Sequence, residues 1–254
     1  MALSGTVSSA IDKGICTILF FHPQSNSLPG ELLYKLADEI KIAGQNKEVK
    51  VIILKSQGEK AFCAGASFDE LISIKDIDTG KKFFSGFAAV INAIRLAPKF
   101  VLVRVQGKAV GGGVGIACAG DYTFATEAAA VKLSELAIGI GPFVVGPAVE
   151  RKVGTSAFTQ MTIDATEWHS AEWAREKGMY MQVFPDILTM DAALDKLAVQ
   201  LSISNPEAMH MLKKISWHET EHWDSLLPER AEMSGKLVLS DFTVNAINKF
   251  KAKI

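Results

Sequence analysis

The sequence predicts an α/β fold. Three apolar runs of strand length, Ile15–Phe21, 49–54 and 100–105, alternate with segments in which apolar residues recur at helical spacing. Continuous apolar runs of this kind are typical of parallel strands that are buried on both faces. With 254 residues, the chain is expected to form one large domain or one domain with an appendage.

The first half of the chain supplies the predicted strands and the helix between them. The first strand ends at a turn around His22 and Pro23, and Pro29 suits the first turn of the helix that follows. Residues 67–95, between the second and third strands, read as a mixed stretch in which Asp76–Gly80 breaks any single helix. We expect this stretch to be mobile and to flank a site.

The second half is predicted to be mostly helical. A glycine-rich segment at 107–115 precedes a short strand at 122–125, and Ser170 and Gly178 delimit a helix before a strand at 179–184. Residues 190–250 read almost wholly as helix, with Asn205 and Pro206 starting one of them. This strandless block would bury little against itself. It is therefore expected to pack across the main body or onto another copy of the chain.

Composition and charge exclude several classes of protein. Hydrophobic residues make up 48% and charged residues 22%, and the net charge is −1, so nucleic acid and anionic membranes are not expected partners. The start of the chain has no secretory signal pattern, and its last four residues are not a Ser-Lys-Leu address. Cys16, Cys63 and Cys118 have no metal spacing, which predicts buried reduced thiols. A cytoplasmic protein is the resulting expectation.

Two loops of small residues are the most informative motifs. Residues 61–67 (Ala-Phe-Cys-Ala-Gly-Ala-Ser) and 108–115 (Lys-Ala-Val-Gly-Gly-Gly-Val-Gly) each follow a predicted buried strand. Small side chains leave backbone N–H groups uncovered, and two such loops that face each other could hold an oxygen that becomes negative during a reaction. Alternatively, the glycines only permit tight turns and close packing. The spacing does not complete a dinucleotide-binding or P-loop motif, and the sequence 65–69 only approaches a serine nucleophile elbow.

Two further features carry titratable groups. His218 and His222 form a literal H-E-x-x-H, which on a helix would place both imidazoles on one face, but no third zinc ligand follows at the metzincin spacing.

Glu135 is the one carboxylate in a largely apolar stretch. If it is buried without a partner, its pKa is raised and it becomes a proton shuttle near neutrality; the alternative is a capped or solvated glutamate.

Taken together, these segments resemble the crotonase superfamily, the enoyl-CoA hydratases and isomerases. Residues 62–66 resemble the first oxyanion loop of that family, 107–121 its second loop and helix, and 133–136 the segment with its catalytic glutamate. The similarity runs in order and spacing from about residue 15 to 184. It implies a crotonase-like spiral of β-β-α turns, with a core domain at 1–188 and a C-terminal helical trimerisation region at 189–254.

The resemblance also implies site residues and partners. The substrate would be an acyl-CoA thioester, with no cofactor beyond its own coenzyme A, no bound metal, and a homotrimer or dimer of trimers as the assembly. The N–H groups of Ala66 and Gly112 would form the oxyanion hole, and Glu135 would be the general base and then acid. Residues expected to contact substrate or coenzyme A are Lys60, Ala64, Gly65, Phe68 and Gly111, and the region 68–87 is expected to shape the acyl pocket.

The chain departs from the family at one catalytic position. Hydratases of the family carry two glutamates, and the first falls at Gly115. A single carboxylate suffices to move a double bond, whereas adding water is harder without a second group to orient it. We therefore favour enoyl-CoA isomerisation, with Asp69 and Glu70 as reserve proton carriers. The alternatives are hydration, a non-catalytic acyl-CoA-binding protein and, more remotely, a zinc metalloprotease built on His218 and His222.

Overall fold

The computed structural model describes residues 5–251. Three of the last four residues and the first four residues lie outside this range, together with the expectations that concern them. The strands are β1 (Thr6–Asp12), β2 (Ile15–Phe21), β3 (Val51–Ser56), β4 (Val101–Val105), β5 (Ala109–Val110), β6 (Tyr122–Thr126), β7 (Val131–Lys132) and β8 (Gln182–Phe184). The helices are α1 (Gly30–Gln45), α2 (Phe68–Ser73), α3 (Ile77–Leu96), α4 (Gly112–Ala119), α5 (Gly146–Ile163), α6 (Ala171–Glu176), α7 (Ile187–Ser202), α8 (Pro206–Ser216), α9 (Trp223–Leu237) and α10 (Asp241–Lys251).

A six-stranded sheet forms the centre of the molecule, in the order β1-β2-β3-β4-β6-β8. All neighbouring strands are parallel except β1 and β2, which are antiparallel. β5 and β7 form a separate two-stranded parallel sheet. The α/β prediction is confirmed, and each predicted strand is present, although β3 begins at Val51 and β8 is limited to three residues.

The first strand, β1, was not predicted because its sequence is polar and nearly all of its residues are exposed. A two-residue turn at Lys13 and Gly14 joins it to β2, and both residues have positive φ, 46° and 82°. This is the geometry that suits the twist of a hairpin. β1 is the edge strand of the sheet, and its residues can therefore remain in contact with solvent.

Helices cover both faces of the sheet. Ile52 and Leu54 of β3 point into the main core, whereas Val51 and Ile53 point to the opposite face, where α7 contributes Met190, Leu194 and Ala198. This double coverage explains why the sequence of β3 is continuously apolar. Cys16, Cys63 and Cys118 are buried free thiols, as predicted.

The stretch between β3 and β4 folds as two helices. Asp76 caps α3, since its Oδ1 accepts a hydrogen bond from the Thr79 N–H at 2.7 Å. The expected break at 76–80 was therefore placed too late: the chain leaves α2 at Ile74, and α3 runs through Gly80. A Cβ at Gly80 would lie 2.9 Å from the Gly235 Cα, so glycine there permits close contact between α3 and α9.

The C-terminal helices pack on the main body, and the predicted helical character of this region is confirmed. Lys213 of α8 forms a buried ion pair of 2.8 Å with Asp121, which also accepts a hydrogen bond from the Trp217 indole at 2.7 Å. Arg95 of α3 donates to the Thr220 carbonyl and to Asp224. No helix within residues 5–251 is long and apolar enough to cross a membrane.

Candidate active site

The two loops of small residues lie side by side. The Phe62 N–H donates to the Lys108 carbonyl at 3.0 Å, and the Val110 N–H donates to the Cys63 carbonyl at 2.9 Å. Gly65 has a φ of 87°, and a Cβ there would lie 2.8 Å from the Val110 oxygen and 3.5 Å from the Gly112 nitrogen. Glycine suits position 65 for two reasons: it adopts the left-handed backbone conformation without strain, and its lack of a side chain lets the two loops approach closely.

Each loop contributes one uncommitted backbone N–H. The Leu28 N–H donates to the Gly65 carbonyl, and the Leu28 carbonyl accepts a hydrogen bond from the Ser67 N–H, so the chain is held on both sides of Ala66. The Ala66 N–H itself has no acceptor among the residues described. Gly112 is the first residue of α4, so its N–H has no carbonyl one turn earlier within the helix. Both residues line one cavity. The positive end of the α4 dipole adds to the attraction for negative charge there.

The carboxylate of Glu135 lies against the second loop. A Cβ at Gly111 would be only 2.7 Å from Oε1, so the carboxylate sits directly over the Gly111 backbone. Glu135 follows β7 and begins a short 3-10 turn at Leu136–Ile138. Its carbonyl accepts hydrogen bonds from the Ile138 and Ile140 N–H groups at 3.2 and 2.9 Å, which fixes its backbone.

Burial controls the ionisation of Glu135. The residue as a whole is half-buried, but Oε2 is fully buried and has no hydrogen-bond partner in the described part of the chain. Desolvation raises the pKa of Glu135 to about 7, and its own backbone N–H opposes this only partly. A carboxyl group with this pKa can both accept and return a proton near neutral pH.

The cavity beside Glu135 is small and mostly apolar. Its volume is about 60 Å³, and its apolar walls include Phe68, Leu71, Phe84, Phe87, Phe143 and Val145. Among the described residues that line it, Glu135 is the only one with a titratable side chain. The arrangement can therefore polarise a carbonyl and move one proton.

Gly115 faces a wall rather than open space. A Cβ at this position in α4 would lie 2.5 Å from both Cβ and Cγ1 of Val145. Val145 is itself buried and lines the Glu135 cavity. The volume into which a side chain from position 115 would project is thus already filled.

The sequence as a whole also matches a known protein family. The sequence model of the enoyl-CoA hydratase/isomerase family matches residues 10–247. The chain belongs to this family.

Individual relatives agree with this family assignment. YngF of Bacillus subtilis (strain 168), described as an enoyl-CoA hydratase/isomerase, is 31% identical over 80% of this chain and 77% of its own. The human mitochondrial methylglutaconyl-CoA hydratase is 30% identical over 74% of this chain and 56% of its own. A crystal structure of an enoyl-CoA hydratase from Mycobacterium avium subsp. paratuberculosis K-10 has a TM-score of 0.84 at 25% identity, over 97% and 96% of the two chains. This family member therefore has the crotonase fold and is an acyl-CoA enzyme of the hydratase/isomerase kind.

Most of the site residues expected from the family resemblance surround the same cavity. These are Ala64, Gly65, Ala66, Phe68, Gly111, Gly112 and Glu135. Lys60 is exposed and does not line it. The reserve carriers are engaged elsewhere, because Asp69 accepts a hydrogen bond from Gln24 and Glu70 accepts one from the Gly30 N–H at the start of α1.

The H-E-x-x-H motif does not have the helical geometry that zinc proteases require. His218 follows the end of α8, Glu219 has a φ of 63°, and α9 begins only at Trp223. The two imidazoles therefore do not share one helical face. No cluster of three or more His, Cys, Asp or Glu side chains suited to a metal occurs within the described chain.

Sequence reasoning missed several contributors to the cavity wall, including Val145 and Ser234 of α9. Phe143 also lies in the wall, although its sequence has no local signal for that place. Val145 lies ten residues after Glu135 but thirty after Gly115, and Ser234 is distant in sequence from all of them. Only the folded chain brings them to the cavity.

Proposed function

We propose that this family member isomerises an enoyl-CoA, moving its double bond by a single proton shuttle. The observation that carries the proposal is the cavity itself. Glu135 is the only titratable side chain among its described lining residues, and Val145 fills the space beside Gly115. The described lining residues include no second carboxylate that could orient a water molecule.

In the proposed mechanism, the Ala66 and Gly112 N–H groups donate to the thioester oxygen of a 3-enoyl-CoA. Ionised Glu135 removes a proton from C2, and the electrons pass into the carbonyl to form an enolate. The same carboxyl group then returns the proton to C4, so that the double bond moves from C3–C4 to C2–C3. Loss of one oxyanion donor typically costs ~10²–10³ in rate.

The rest of the loop surface is assigned to substrate binding within the same proposal. Ala64, Gly65, Phe68 and Gly111 line the cavity beside Glu135 and would contact the thioester region. Lys60 is exposed and remains a candidate for coenzyme A phosphate. The reaction requires no cofactor beyond the coenzyme A of its substrate.

The test uses a β,γ-enoyl-CoA and the Glu135→Gln variant. Because general acid–base catalysis contributes about 10²–10⁴ in rate, the variant should lose at least about a hundredfold in kcat. Glu150→Gln is the matched control, since Glu150 is half-buried but does not line the cavity. Full turnover by Glu135→Gln would remove Glu135 from this role.

Hydration is the second candidate, because relatives such as the human protein are described as hydratases. Incubation with an α,β-enoyl-CoA separates the two reactions: a hydratase yields the 3-hydroxyacyl product, and the proposed isomerase does not. Acyl-CoA binding with no turnover of either substrate would instead identify a non-catalytic family member.

We further propose that the chain assembles as a homotrimer or a dimer of trimers in the cytoplasm, through the region 189–254. Supporting this, Met211, Leu212 and Ile215 of α8 are apolar and between 57% and 66% exposed. Burial of this surface would stabilise an assembly. Light scattering of the purified protein measures its mass directly, and a monomer would contradict the proposal.

A further inference from the structure

The dimensions of the Glu135 cavity limit what it can hold. A cavity of about 150 Å³ can take a six-carbon ring such as benzene, so a volume of about 60 Å³ leaves space for roughly two to three carbon atoms. The oxyanion donors and Glu135 already define the positions of the thioester and of the carbons that exchange protons. Little space remains beyond C4 of an acyl chain.

The walls of the cavity also restrict the chemistry of the acyl group. Leu71, Phe84, Phe87 and Phe143 are apolar, and no Lys, Arg or His is among the described residues that line the cavity. A second carboxylate on the acyl chain would be buried there without a cation. An unpaired buried charge is strongly unfavourable.

One short segment separates this cavity from a much larger one. Residues Ile140 to Phe143 line both the small cavity and a cleft of about 950 Å³, whose walls include Phe158, Arg151 and Arg230. The Phe143 ring stands over its own segment, since a Cβ at Gly141 would lie 2.3 Å from the Phe143 Cζ. The partition between the two spaces is thus one residue layer that includes this ring.

We propose that Phe143 determines acyl-chain specificity, limiting the substrate to an uncharged acyl group of about four carbons. This inference rests on the proposed function, because it takes the cavity beside Glu135 as the acyl site. Removing the ring joins the small cavity to the large cleft. A longer chain can then pass between Ile140 and Phe143 into that cleft.

Calorimetric binding of saturated acyl-CoAs tests the inference without relying on catalysis. With the unmodified protein, affinity should rise from acetyl- to butyryl-CoA, and hexanoyl- and decanoyl-CoA should bind no more tightly than butyryl-CoA. Glutaryl-CoA should bind at least about tenfold more weakly than butyryl-CoA. In Phe143→Ala, hexanoyl-CoA should bind about fifteenfold more tightly than butyryl-CoA, because each of its two additional buried methylenes is worth roughly fourfold.

Phe158→Ala is the matched control, since Phe158 lines only the larger cleft and should leave the chain-length profile unchanged. Phe143→Leu is the second variant, which keeps an apolar side chain if the alanine form does not fold. A steady rise in affinity through decanoyl-CoA in the unmodified protein would overturn the inference. An unchanged profile in both Phe143 variants would also overturn it.

The outcomes for this inference and for isomerisation can be told apart. Isomerisation of a β,γ-enoyl-CoA together with length-independent binding refutes the specificity and leaves the reaction standing. A binding plateau at four carbons without turnover supports the specificity and refutes isomerisation. Failure to bind any acyl-CoA refutes both.

Discussion

Replacing Glu135 by Gln should change how the stability of the protein depends on pH. Burial raises the pKa of Glu135 from its ordinary 4.5 to about 7. The folded state therefore holds a proton that the unfolded chain releases at lower pH. The stability from the protonated carboxyl is complete below about pH 4.5 and is lost as the pH rises through about 7.

The size of this effect follows from the same pKa. At about 1.4 kcal/mol for each pKa unit, the loss amounts to at most about 3 kcal/mol, because the partly exposed residue retains some contact with solvent. Glutamine does not titrate. The difference in unfolding free energy, unmodified protein minus Glu135→Gln, should therefore fall by up to about 3 kcal/mol between pH 4.5 and 8.

Urea unfolding of both proteins across this pH range measures the difference directly. Glu48→Gln supplies the control, since Glu48 is exposed and its replacement should give a difference that stays level with pH. A level difference for Glu135→Gln as well would mean that the Glu135 carboxylate is solvated. Glu135 would then not be a buried proton shuttle.

Three further outcomes are expected from single positions. Gly115→Ala should lose about 1–3 kcal/mol in urea unfolding through overpacking against Val145, and adding Val145→Ala should restore only part of it, because the Cβ of residue 145 remains 2.5 Å from the added methyl group. Asp121→Ala leaves Lys213 buried and unpaired, which should lower the unfolding free energy by about 3–5 kcal/mol in the same assay. In steady-state kinetics, kcat/KM for isomerisation should rise as the pH increases through about 7 and then level off, because the base must be ionised.

The central strands could be predicted because burial on both faces leaves an unambiguous apolar run. β3 is an example, with Ile52 and Leu54 in the main core and Val51 and Ile53 against α7. β1 could not be found in this way, since its solvated face gives no apolar pattern. Its only sequence signal was the Lys13–Gly14 turn, whose meaning depends on the strand that it connects.

The loops and Glu135 were predictable because each is local in the sequence. Small residues after a buried strand, and one carboxylate in an apolar stretch, are patterns that a single segment carries. The wall of the cavity is different. Val145 meets Gly115, and Ser234 reaches the cavity from α9, only through tertiary packing between distant segments. No local pattern encodes such contacts.

The contact between Gly115 and Val145 connects two features of the site. One is the absence of a carboxylate at position 115, and the other is the raised pKa of Glu135. With glycine alone at position 115, a vacant volume beside the cavity would admit water and reduce the desolvation of Glu135. Val145 fills that volume with apolar atoms. Since desolvation is the main cause of the raised pKa of Glu135, the packing at position 145 helps keep that pKa near 7. In the proposed isomerisation, a lone carboxyl group both takes and returns a proton, and a pKa near 7 suits both steps, so the exclusion of water by Val145 favours that reaction.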